Sequence, residues 1–176
     1  MSVEMSLGLW FTGWFGELKT VIAKKLFLRS SEYFDINNVT IRTRRGTTQV
    51  DHVIISRYGV FVVETKNMSG WIFGREEDPF WTKTNRGHKL RFQNPLHQNE
   101  SHIRALSNLA RIPREKMHSV IVFRGRCRLK NDMPTNVLTG GYINYIKSKR
   151  TVLFTEAEVK LIAATIQAAV SYTHLT

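Results

Sequence analysis

Two runs rich in β-branched and aromatic residues constrain this chain more than anything else in it. They are Thr48-Gln49-Val50-Asp51-His52-Val53-Ile54-Ile55-Ser56 and Val60-Phe61-Val62-Val63-Glu64-Thr65-Lys66, separated by Arg57-Tyr58-Gly59. Such side chains pack well on a pleated surface, and a glycine between two strand-length runs specifies an antiparallel hairpin. A two-residue loop at Tyr58-Gly59 would set Arg57 opposite Val60, Val53 opposite Glu64 and Asp51 opposite Lys66. Side chains two apart share a face, so Asp51, Glu64 and Lys66 are expected together near the open end of the hairpin. A slip of one residue would turn Asp51 to the other face.

The rest of the chain supplies a frame for that hairpin. Leu18, Val21, Ile22, Lys25 and Leu26 recur at helical spacing, giving a first helix from Gly16 to Leu28 with Glu17 in its opening turn. Tyr33 to Asn38 reads as a loop and Val39 to Thr43 as a strand. Trp71-Ile72-Phe73 and Phe80-Trp81-Thr82 read as short strands, followed by a polar loop through Arg86, Lys89 and Arg91. Asn94-Pro95 is a helix start with Asn as N-cap and Pro at the first helical position. In that helix Leu96, Ile103, Leu106 and Ala110 form an apolar face, Gln98 and His102 lie on a neighbouring stripe, and Pro113 ends it. His118 to Phe123 suits a buried strand, and Arg124 to Lys130 a basic loop. Gly140-Gly141 marks a turn and a further short element, and Thr155-Glu156-Ala157-Glu158 is a capping box opening a last helix.

Two carboxylates and the backbone carbonyl of Thr65 between them offer hard oxygen ligands suited to Mg²⁺ or Mn²⁺. A lysine beside such a centre can position a water or neutralise charge on a phosphate. The same spacing is also met by an exposed cross-strand ion pair worth little. Charge favours a polyanionic partner, since 26 Lys and Arg stand against 14 Asp and Glu, a net +12. DNA is the expected partner ahead of RNA, with an anionic membrane surface as a further option. Candidate phosphate contacts are Arg42, Arg44, Arg45, Arg86, Lys89 and Arg91. The lone Cys127 excludes an internal disulfide and fits a reducing, cytoplasmic compartment.

The ordered motifs Gly16-Glu17, Gln49-Val50-Asp51-His52-Val53, Tyr58 to Asn67, Gly70-Trp71-Ile72-Phe73-Gly74 and Phe92-Gln93-Asn94-Pro95-Leu96-His97-Gln98-Asn99, with His102 after them, resemble the nuclease-related domain (NERD) family. That family is grouped with the PD-(D/E)XK nucleases and is close in fold to Mrr-type restriction enzymes and archaeal junction resolvases. The resemblance runs from about Gly13 to about Phe123. It implies an α/β, restriction-endonuclease-like core: a mixed four- or five-stranded sheet around the hairpin, flanked by helices. It also implies that Asp51 and Glu64 hold the metal, that Glu17 reaches it directly or through water, that Lys66 is the catalytic lysine and that Gln98 completes the site. Val50 stands where the superfamily name has proline, at a position whose side chain is not a ligand.

The expected function is metal-dependent phosphodiester hydrolysis of DNA, with no small-molecule cofactor. The alternative is a non-catalytic nucleic-acid-binding or regulatory module, or a membrane-peripheral protein using the apolar stretch Leu7 to Phe15, which is too short for a bilayer span. One domain is expected over 13–169 behind an apolar leader at 1–12. Residues 170–176 resemble a reading frame of a transposase adapter used in sequencing libraries, which implies a longer natural chain. Trp71, Phe73, Phe80 and Trp81 could stack on unpaired bases, although such rings more often cover a sheet. No histidine pair has a zinc-ligand motif, and His102 alone lies on the Gln98 stripe.

Overall fold

The computed structural model describes residues 32–43 and 46–173, with side chains through residue 170. The expected first helix with Glu17, the leader and the Arg44-Arg45 pair lie outside the described residues. Among those described, the elements run β1 (Tyr33–Thr43), β2 (Gly46–Ser56), β3 (Gly59–Asn67), β4 (Gly70–Phe73), β5 (Phe80–Asn85), β6 (His88–Gln93) and α1 (Pro95–Ala110). A 3-10 turn at Arg114–Lys116 leads to β7 (Met117–Arg124), β8 (Cys127–Leu129), β9 (Val137–Leu138), α2 (Tyr142–Ser148) and α3 (Glu156–Thr173).

The central sheet has five strands in the order β1-β2-β3-β7-β9, antiparallel across β1, β2 and β3 and parallel from β3 through β7 to β9. This is the mixed α/β, restriction-endonuclease-like core that the sequence predicts. Val53 and Ile55 of β2 and Val60 and Val62 of β3 face one side, packed with Ile103 and Leu106 of α1 and Val159, Ile162 and Ile166 of α3. Ile54, Phe61 and Val63 face the other side, with Ile143 and Ile146 of α2. The alternation of strand side chains thus gives the sheet two buried faces, one covered by long helices and one by a short helix. Asn99 of α1 is fully buried and donates to the Val62 carbonyl and the Ser119 hydroxyl, both at 2.8 Å, pinning the helix across β3 and β7.

The hairpin register differs from the expected one by two residues. Ser56 pairs with Gly59, Ile55 with Val60 and Val53 with Val62, so the loop is Arg57-Tyr58 and the glycine belongs to β3. Gly59 is required there for two reasons. Its φ is +131°, and a Cβ would come within 2.7 Å of the His118 ring. Because the shift is an even number of residues, every side chain keeps its face, and Asp51 is brought toward Glu64 rather than Lys66.

Three further segments depart from expectation. The loop expected at Tyr33 to Asn38 is part of β1. Asn38 sits at φ +53° between the pairs Asn37 with His52 and Val39 with Val50. Asparagine tolerates that left-handed conformation. The strand alternation breaks there, so Ile36 and Val39 on β1, and Val50 and Val53 on β2, all reach the same core. The polar loop expected around Arg86 to Arg91 includes β6, and the basic loop after Arg124 includes β8. These strands form a second sheet in the order β6-β5-β4-β8. Its inner face, with Ile72 and Trp81 fully buried, packs on Ile121 and Phe123 of β7. Among the described residues no helix is long and apolar enough to cross a membrane.

Candidate active site

Strand β3 carries Glu64 and Lys66 two residues apart, hence on one face, and that face looks toward α1. The helix is fixed at its start by Asn94, whose Oδ1 accepts the Leu96 N–H at 2.9 Å while Pro95 occupies the first turn. Gln98 and His102, one helical turn apart, therefore project together over the β3 carboxylate. Lys66 Nζ lies 2.7 Å from Glu64 Oε1 and donates to Gln98 Oε1 at 2.8 Å. His102 Nε2 lies 3.3 Å from Glu64 Oε2, and its Nδ1 lies 2.9 Å from the Thr48 hydroxyl of β2. With the ring proton on Nε2, His102 donates to Glu64 and accepts from Thr48, which accounts for both contacts. Glu64 is only 4% exposed, and both of its oxygens are engaged.

Asp51 is half-buried on the same face, and its Oδ2 accepts the Thr65 N–H at 2.8 Å. In an extended strand the N–H and C=O of one residue point to the same edge, so the Thr65 carbonyl also faces the Asp51 side. The two carboxylates are pushed in opposite directions. Burial, reinforced by the charge of Glu64, raises Asp51 above the ordinary carboxylate range, against the opposing pull of the Thr65 N–H. Burial also acts to raise Glu64, but the hydrogen bonds from His102 and Lys66 outweigh it and hold Glu64 below its ordinary value. Paired carboxylates separated in this way are a recurring mark of functional sites.

The structure thus brings Asp51, Glu64, Thr65, Lys66 and Gln98 together, and adds His102 and Thr48. The sequence signal for His102 is its place one turn after Gln98. Nothing in the sequence marks Thr48. Among the described residues no three His, Cys, Asp or Glu side chains form a ready ligand cluster, and Glu17 lies outside them. The donors at hand are hard oxygens, and the repulsion from Glu64 that helps to raise Asp51 is what a divalent cation between them would relieve. The donor set therefore fits Mg²⁺ or Mn²⁺ in chemistry.

The candidate phosphate contacts fall in two places. Arg42 is exposed near the tip of the β1–β2 hairpin, beyond Asp51, while exposed Arg86, Lys89 and Arg91 lie on the β5–β6 hairpin of the second sheet. That sheet follows β3 after two residues and runs directly into α1, so it adjoins the Lys66 end of the site in chain terms. Of the four candidate stacking rings, Trp81 is buried against Phe123, with ring centres 6.1 Å apart, and Trp71, Phe73 and Phe80 are exposed. Burial raises the Cys127 thiol, the opposite of what neighbouring arginines would do. A cleft beside Leu109, Ile112, Phe154 and Leu161 contains none of the acidic-site residues.

The family profile described as nuclease-related domain matches residues 12–124. An uncharacterized protein of Bacillus anthracis is 41% identical over 122 residues, covering 66% of this chain and 56% of that relative. The chain thus spans little more than half of that relative's length. No solved structure matches it.

Proposed function

The chain belongs to the nuclease-related domain family, within the PD-(D/E)XK-like nuclease superfamily, and on that premise we propose that it hydrolyses phosphodiester bonds in DNA with a divalent metal. The observation that carries the reading is Lys66 held between Glu64 and Gln98 on the face that also presents Asp51. Asp51, Glu64 and the Thr65 carbonyl would hold Mg²⁺ or Mn²⁺, with Glu17 as a further ligand. Held there, such a metal would supply Lewis acidity toward a phosphate and make water a better nucleophile. Gln98 fixes the direction of the Lys66 ammonium, which is placed to orient the attacking water and to offset negative charge as it builds on the phosphate. His102 holds Glu64 from the side opposite Lys66, so the carboxylate keeps its geometry when Lys66 turns to substrate. Arg42 on one side and Arg86, Lys89 and Arg91 on the other would take backbone phosphates, which position DNA without reading its sequence.

The test is supercoiled and branched DNA incubated with Mg²⁺ or Mn²⁺. Metal-dependent cleavage is expected, with a loss of at least about a hundredfold in Lys66→Ala and Glu64→Ala. Cleavage that persists unchanged in both variants refutes the site. A second reading, a nucleic-acid-binding module without turnover, draws on the engagement of both Glu64 oxygens by Lys66 and His102. It predicts salt-sensitive binding with no products under either metal.

A further inference from the structure

Among the described residues, the outer face of the second sheet collects the exposed tryptophan and phenylalanine side chains. Trp71 on β4 and Phe80 on β5 are each 50% exposed and Phe73 is 36% exposed, although neighbouring Ile72 and Trp81 are fully buried. On β4 and β5 the two sides thus differ: Ile72 and Trp81 pack on β7, and Trp71, Phe73 and Phe80 turn to solvent. Such rings are normally the ones a protein hides.

The pairing register arranges this face in rows. Arg128, Trp71, Thr84 and Lys89 stand across the four strands in one row, and Phe73, Thr82 and Arg91 in the next. The first row sets Trp71 between two cations and the second sets Phe73 in line with one, with only threonine intervening. Two of the rings already carry a cation: Lys130 Nζ lies 4.4 Å from the Trp71 ring centre and the Arg91 guanidinium 5.0 Å from that of Phe80. The four strands GWIF, FWTKTN, HKLRFQ and CRL contain no Asp or Glu. The face thus combines flat apolar surfaces with positive charge a short reach away, which is the chemistry of a stacked base and its phosphate.

We infer that this face is a platform for an unpaired DNA strand, with Trp71, Phe73 and Phe80 stacking on bases and Lys89, Arg91, Arg128 and Lys130 taking phosphates. The spacing favours a single strand over a duplex. Trp71 and Phe73 are two residues apart on one strand, about 7 Å, whereas stacked bases follow one another at about 3.4 Å. Rings that far apart meet separate bases only when the bases are unstacked, and in a duplex their faces are covered. A membrane surface fits less well, because threonines and cations separate the rings and leave no continuous apolar area to insert. The choice of DNA over RNA rests on the nuclease reading above; the platform itself does not depend on turnover.

The experiment is fluorescence anisotropy in EDTA at fixed low salt, with a labelled oligothymidine of about 12 nucleotides, its duplex, and an oligouridine of equal length. Near-ultraviolet circular dichroism of each variant controls for folding. The single strand is expected to bind at least about tenfold more tightly than the duplex. Trp71→Ala and Phe73→Ala should each weaken it by roughly fivefold to a hundredfold, and Trp71→Phe should retain most of the affinity. Lys89→Ala and Arg91→Ala should each flatten the salt dependence by about 0.7 in the log-log slope. Unchanged single-strand affinity in a folded Trp71→Ala/Phe73→Ala double variant overturns the platform, as does equal affinity for the duplex. So does Trp71-dependent binding to phosphatidylglycerol vesicles without oligonucleotide binding. Tighter binding of oligouridine overturns the assignment to DNA. Cleavage of supercoiled DNA in Mg²⁺ is read separately: no cleavage with Trp71-dependent single-strand binding intact fails the nuclease reading alone, and cleavage without Trp71-dependent binding fails the platform alone.

Discussion

Replacing Lys66 with methionine tests whether the acidic centre also holds the fold together. Glu64 is 4% exposed and its Oε1 lies 2.7 Å from Lys66 Nζ. At an effective dielectric of about 20 that separation corresponds to an attraction of roughly 6 kcal/mol. Desolvation of both groups cancels much of it, and removing one member of a buried pair typically costs about 3–5 kcal/mol. Two features place Lys66→Met at or just below the lower end of that range. The lysine side chain is 19% exposed, and His102 remains 3.3 Å from the other oxygen of Glu64. A loss of about 2–3 kcal/mol is expected, which lowers the thermal midpoint of a domain this size by roughly 5–10 °C. Glu64→Gln combined with Lys66→Met should recover part of the loss, because no buried charge is then left unpaired. Acid titration supplies a second reading. Glu64 is held below its ordinary value of 4.5, so it contributes stability above that pH, which is lost as pH falls through the lowered folded value. Without Lys66 one of its two donors is gone, and the acid loss should begin at higher pH. A Lys66→Met midpoint equal to the parent's, with an unmoved acid limb, refutes this account of the pair.

Asp51→Asn should leave the thermal midpoint within a few degrees, since an amide oxygen can still accept the Thr65 N–H, yet abolish any rise in midpoint produced by millimolar Mn²⁺. A Mn²⁺ shift of the same size in both proteins would remove Asp51 from the ligand set. Gly59→Ala forces a side chain into a φ of +131° and against the His118 ring, and should destabilise by about 1–3 kcal/mol in urea unfolding; a neutral result would contradict the turn geometry. Burial lowers His118, which stacks on Phe61 and lies 3.2 Å from the Tyr58 carbonyl. Its contribution is therefore complete above the ordinary histidine value of 6.5 and is lost as pH falls through the lower folded value. His118→Gln should flatten the stability profile below about pH 6.5, and an unaltered slope would exclude this histidine as the cause.

The face shared by Asp51, Glu64 and Lys66 was legible because side-chain direction depends on parity, and a register error of two residues leaves parity intact. Had the loop differed by one residue, the same reasoning would have separated them. The start of α1 and the capping box of α3 were legible because each is a local hydrogen-bond solution: Asn94 capping Leu96, and Thr155 and Glu158 each accepting the other's backbone N–H. The second sheet was not. His88 to Gln93 carries His88, Lys89 and Arg91 on a strand whose inner face contributes only Phe92 to the neighbouring core, so its hydropathy resembles that of a loop. Tyr33 to Asn38 failed for a related reason, since Asn38 breaks the alternation that identifies a strand. The helix at Tyr142 follows a left-handed Gly141 with no side-chain cap, and so lacks the usual starting signal. The contact between His102 and Glu64 spans 38 positions in the chain, a distance no local pattern encodes.

Asn94 carries a consequence for how far this chain can drift in sequence. Its Oδ1 caps α1, while its Nδ2 sits among the carbonyls of Arg75, Glu76 and Asp78 at 3.2, 2.9 and 2.7 Å. Aspartate would keep the cap and set a negative charge against three carbonyls. Serine would keep the cap without reaching the loop, and glutamine would reach the loop with the wrong arm length for the cap. Position 94 is therefore closed to nearly every exchange, for reasons of carpentry rather than chemistry. In a motif that contributes Gln98 to the site, Asn94 is the peg that joins the sheet carrying the exposed rings to the helix standing over Glu64. A homologue could lose its chemistry and still need that asparagine, so its presence alone is no sign that a relative cuts DNA.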